Sequence, residues 1–99
     1  MQTSPLADNS FIQQSQQIEQ ALDSVVDHGS DDELFIASYL QGHFAVISKP
    51  LEMDEQASLS KLDEAVTKSL TDAFANNELE ADDQQKVFFL WQRLVSQTG

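Results

Sequence analysis

The side chains that could do chemistry in this 99-residue sequence fall in three places. The densest polar cluster runs Asp27, His28, Gly29, Ser30, Asp31, Asp32, Glu33, setting carboxylates and an imidazole around one tight turn between helices. A divalent cation could find oxygen ligands there, although the spacing lacks the alternating ligands and closing bidentate Glu of an EF-hand loop. The alternative is capping: acids in a first helical turn meet the positive end of the helix dipole, and His28 sits where a helix C-terminus favours a cation. The second place is His43, expected on an apolar helix face beside Tyr39 and next to Gly42. An imidazole on such a face needs a hydrogen-bond partner, expected to be a carbonyl or acid of a neighbouring helix. A functional reading puts His43 at a cleft edge, with Gly42 admitting a ligand or another backbone. The third is Phe89, which falls among Gln85, Gln92, Arg93 and Ser96 on the polar side of its helix. A lone exposed Phe is common, but aromatic residues also dominate interface hot spots.

Catalysis finds little support in these residues. There is no Gly-rich phosphate loop, nucleophile elbow or metal-hydrolase motif, and the three glycines leave no room for one. The absence of Cys excludes a disulfide framework, a thiolate metal site and a Cys nucleophile, and permits a reducing compartment. No cofactor is expected. Seventeen acidic residues against five basic ones (Lys49, Lys61, Lys68, Lys86 and Arg93) give a net charge of -12, which repels phosphate backbones and anionic lipid. Nucleic acid and membrane are therefore not expected partners; a charged partner is expected to be basic. Met1 to Ser10 lacks the basic start and apolar run of a signal peptide, and no apolar run is long enough to span a bilayer, so the expected location is cytoplasmic.

These residues must be positioned by helices, because the apolar pattern recurs at three and four throughout and never alternates for long. Phe11, Ile18, Leu22, Val25 and Val26 predict a first helix over about 10–28, with residues 1–9 a flexible arm. Gly29 should end it through its permissive backbone, and Ser30 with Glu33 forms a capping-box pattern. The second helix is expected over about 31–49, stopped by Pro50. Its apolar residues Phe35, Ile36, Tyr39, Leu40, Phe44, Val46 and Ile47 cover about half the wheel, which predicts the most buried helix of the set. A third helix follows over about 57–75, ended by Asn76 and Asn77, and a fourth over about 81–97 with Asp82 and Asp83 in its first turn. Short joints between amphipathic helices imply an all-α, single-domain antiparallel four-helix bundle. The breadth of the second helix's apolar arc leaves open whether it is covered within the chain or by a second copy.

The stretch VVDHGSDDELFIASYLQGHF, from Val25 to Phe44, together with NELEADDQQ and LWQRLV near the C-terminus, resembles the YfcL-like family of small gammaproteobacterial proteins. The resemblance covers most of the chain and implies a small cytosolic helical protein, with no catalytic residues to carry over. The function expected is a non-enzymatic interaction module that presents the Asp27 to Glu33 turn or the fourth helix to a protein. The alternative is a small-ligand or divalent-metal binder using the His43 region or that turn.

Overall fold

The computed structural model describes residues 7–98, which form four α-helices: α1 (Asn9–His28), α2 (Asp31–Leu51), α3 (Leu59–Ala75) and α4 (Ala81–Gln97). Of the expected arm, residues 1–6 lie outside the described residues. Asn9 is already helical, and the Ala7 N–H donates to the Glu52 carbonyl at 2.9 Å, tying the start of α1 to the end of α2.

Most of the helix ends follow from local chemistry. The Asp8 carboxylate accepts the Ser10 N–H, and the Ser58 hydroxyl accepts the Lys61 N–H at 3.2 Å, so α3 begins at Leu59, two residues later than expected. Ser30 and Glu33 form the full capping box: the Ser30 hydroxyl accepts the Glu33 N–H at 3.2 Å, and the Glu33 carboxylate accepts the Ser30 N–H at 3.1 Å. Asn77, beyond the end of α3, takes the left-handed conformation at φ 59°.

Two endings differ from expectation. Pro50 does not stop α2, which continues through it to Leu51. Proline removes only the bond to the Val46 carbonyl, and both residues lie on the exposed side of the helix, where water can serve that carbonyl. Gly29 does end α1, but at φ −77° and ψ 168°, an extended conformation open to any residue. Its role is space, since a Cβ there would lie 2.6 Å from the Val25 carbonyl oxygen and 3.0 Å from the Glu33 Cβ.

Side-chain pairs fix the directions of the helices. Gln41 bonds Asp23, His43 meets Ser69 while Tyr39 reaches Glu78, and Trp91 bonds Asp63. Each sequential pair is thus antiparallel, as the short joints require. Asp32 pairs with Lys86 and Phe44 packs on Trp91 with ring centroids 6.1 Å apart, so α2 and α4 run parallel and touch directly. α2 packs against all three other helices, whereas α1 meets α4 only sparsely. The core is Phe11, Ile18 and Leu22 of α1, Ile36, Leu40 and Phe44 of α2, Leu62, Val66 and Leu70 of α3, and Val87, Trp91 and Leu94 of α4.

The wide apolar arc of α2 is only partly covered. Ile36, Ala37, Leu40, Phe44 and Ser48 are buried, but Phe35 keeps 47 % and Val46 75 % of its surface exposed. α2 is central, yet it is not sealed on all the faces that its composition suggested.

Candidate functional site

Because α2 and α4 pack directly, a gap opens where the end of α1, the start of α2 and the middle of α4 come near one another. Val25, Asp32, Glu33, Ile36, Lys86, Phe89, Leu90 and Arg93 line it as an open groove of about 310 Å³. Helical geometry explains the lining: Asp32, Glu33 and Ile36 share one face of α2, as do Lys86, Phe89, Leu90 and Arg93 on α4. Val25, Ile36 and Leu90 form an apolar floor continuous with the core, and Phe89 stands at the groove 64 % exposed.

Charge is arranged around this floor. The Lys86 ammonium donates to Asp32 at 2.8 Å, which holds its pKa above the usual lysine value, helped by Asp83 and Asp82 nearby. The Glu33 carboxyl lies below its ordinary value, chiefly because it accepts the Ser30 backbone N–H. Arg93 has no carboxylate within 4.0 Å among the described residues, leaving its guanidinium free to meet another group.

Two of the features singled out in the sequence, the Asp27 to Glu33 turn, through its Asp32 and Glu33, and Phe89, therefore meet at one place. Lys86 and Arg93, which the sequence reading did not single out as site residues, belong to the same groove; their signal was only that two of five cations stand on one face of α4. Asp27 and His28 are exposed at the end of α1, and the His28 Nδ1 lies 3.2 Å from the Ser24 carbonyl as donor. Among the described residues no three His, Asp or Glu side chains gather in a way that could hold a metal ion.

The histidine of α2 lies elsewhere, against α3. His43 is half-buried at the edge of the buried face of α2, with Nδ1 2.8 Å from the Ser69 hydroxyl; the expected carbonyl or acid is replaced by a serine. Tyr39 stacks on it, ring centroids 4.8 Å apart and tilted by 41°, and donates its hydroxyl to Glu78 at 2.9 Å. Burial, then the bond to Glu78 and its charge, push the Tyr39 phenol up to about 12. Gly42 admits no neighbour among the described residues, for a Cβ there would meet nothing within 4 Å. Hence Tyr39 is held by Glu78, His43 by Ser69 and the two rings by each other, while Gly42 lies on an open helix face.

The fold and groove define a small all-helical protein with an apolar-floored groove edged by charge, and with no helix among the described residues long and apolar enough to cross a membrane. The chain belongs to the YfcL family, whose description, YfcL protein, matches residues 12–96. It is 38 % identical over 78 residues, spanning 79 % of this chain and 85 % of the relative, to the uncharacterized protein YfcL of Escherichia coli strain K12. No solved structure matches the chain.

Proposed function

We propose that this protein is a cytoplasmic, non-enzymatic interaction module that docks a basic, amphipathic segment of another protein in the groove between α2 and α4. The observation that carries the reading is the union of an exposed aromatic residue and an apolar floor with Asp32 and Glu33 along one wall, close to the acidic first turns of α2 and α4. Phe89 supplies the anchor, Val25, Ile36 and Leu90 the desolvated floor, and the first turns of α2 and α4 the acids Asp31, Asp32, Glu33, Asp82 and Asp83. Those five carboxylates outnumber Lys86 and Arg93, so the local field has the sign of the whole molecule and steers a basic chain inward. Absence of cysteine fits a reducing compartment.

The test places a photo-reactive benzoylphenylalanine at position 89, with a control at the exposed Glu64 of α3, and identifies the cross-linked peptides. Segments captured through position 89 should be basic and carry a large apolar residue. Their binding should weaken with salt and fall by roughly thirtyfold or more in Phe89→Ser with helicity unchanged, the loss expected of a hot spot. Acidic segments, capture no better than at position 64, or binding indifferent to Phe89→Ser would overturn the reading.

A further inference from the structure

The outward face of α2 is a second surface, independent of the groove. In a chain with seventeen acids, no Asp or Glu occurs from Leu34 to Leu51. Phe35, Ser38, Gly42, Ala45, Val46 and Lys49 recur at three, four and seven along that stretch, which puts them on one stripe, and all six are exposed. Val46 is the most exposed large apolar side chain described, at 75 %. Gly42 lies mid-helix, where glycine is unfavourable relative to alanine, and no packing among the described residues requires it. Lys49 makes no ion pair among the described residues.

We infer that this face binds a second copy of the chain, with the two α2 helices antiparallel about a two-fold axis at Gly42. Charge selects that occupant. Two molecules of -12 repel wherever acids face one another, and the α2 face is a surface on which they need not. The stripe is also self-complementary. Under the two-fold, Lys49, seven residues after Gly42, lies opposite Phe35, seven before it, one turn from Asp31 of the other copy. Val46, four after, lies opposite Ser38, four before, so large meets small on both sides of the axis. Gly42 meets Gly42, where the absence of a side chain lets the helices approach closely, and antiparallel dipoles oppose favourably. One helix pair covers less than the roughly 1,600 Å² of a standard stable interface, so the dimer is reversible and concentration-dependent.

Sedimentation of the full chain over a range of concentrations should show a monomer–dimer equilibrium that strengthens with added salt, the opposite of the salt response of the groove. Val46→Glu should abolish it with helicity and thermal midpoint unchanged, and adding Ser38→Lys should restore it by placing a cation opposite each new acid. Since the chain has no cysteine, Gly42→Cys should oxidise rapidly to a disulfide-linked dimer, while Glu64→Cys on α3 should not. A monomer at every concentration, a dimer indifferent to Val46→Glu, or equal cross-linking through positions 42 and 64 would each overturn the proposal. A dimer lost in Phe89→Ser but kept in Val46→Glu would assign self-association to the groove instead.

Discussion

Tyr39 gives the most direct measurement at the scale of single residues, because it is the chain's sole tyrosine and its phenol can be titrated by absorbance without interference. The native midpoint should lie at about 12, against an ordinary value near 10 once the protein is unfolded in urea. Glu78→Gln should lower it while leaving it above the ordinary value, since burial is the largest cause and remains. The sign for stability follows. A phenol whose pKa is raised on folding contributes fully below about pH 10, and that contribution is lost as pH rises through about 12. A native midpoint near the ordinary value would mean that neither the burial of Tyr39 nor its bond to Glu78 holds in solution. The neighbouring contacts explain how His43 is accommodated on α2: Ser69 serves its nitrogen, and the Tyr39 ring covers its face. That Ser69 rather than an acid would be the partner was not readable, because the rotation of α3 about its axis depends on how Leu62, Val66 and Leu70 settle in the core.

For the helices and their ends, Gly29 beside α2 and Gly42 within it should respond oppositely to the same substitution. Gly42→Ala should stabilise the protein by about 0.5–1 kcal/mol in dilute solution, since it adds helix propensity and meets nothing. Gly29→Ala should destabilise it, because the new methyl would stand 2.6 Å from the Val25 carbonyl, backbone that cannot simply rotate away. Chemical denaturation of the two variants checks both signs, and equal shifts would contradict the tight turn. The capping box beside Gly29 adds a pH dependence. Glu33 titrates below its ordinary value, so its contribution is present at neutral pH and is lost as pH falls below about 4.5 towards the lowered value. These ends were legible because capping is chemistry between residues three or four apart. Pro50 misled for an equally local reason: its missing N–H matters only if the carbonyl it would have met is buried, and the Val46 carbonyl belongs to an exposed residue.

Across the whole molecule, the net charge of -12 is set against three surface ion pairs among the described residues, Lys61–Asp54, Lys68–Asp72 and Lys86–Asp32. Exposed pairs contribute about 0–1 kcal/mol each, so repulsion among the remaining acids outweighs them. Moderate salt should therefore raise the thermal midpoint, by screening repulsion over a Debye length of about 10 Å at 0.1 M. A midpoint that fell with added salt would show that the few pairs dominate. A compact chain, with a radius of gyration of 13.6 Å, brings these charges near enough for the effect to register.

The sequence by itself determined four helices, most of their caps, their antiparallel order and the family, because periodicity, capping and motif spacing are short-range properties. Tertiary structure decided what the helices expose. The direct contact of parallel α2 and α4, made by Phe44 against Trp91, opens the groove at the α1–α4 side and so joins Phe89 to the Asp32–Glu33 turn. It also decides which half of the broad α2 arc goes inward, leaving Phe35, Gly42 and Val46 outside. A helical wheel carries the angle between residues of one helix but not the distance to the next helix. That distance is set by how side chains remote in sequence interlock in the core.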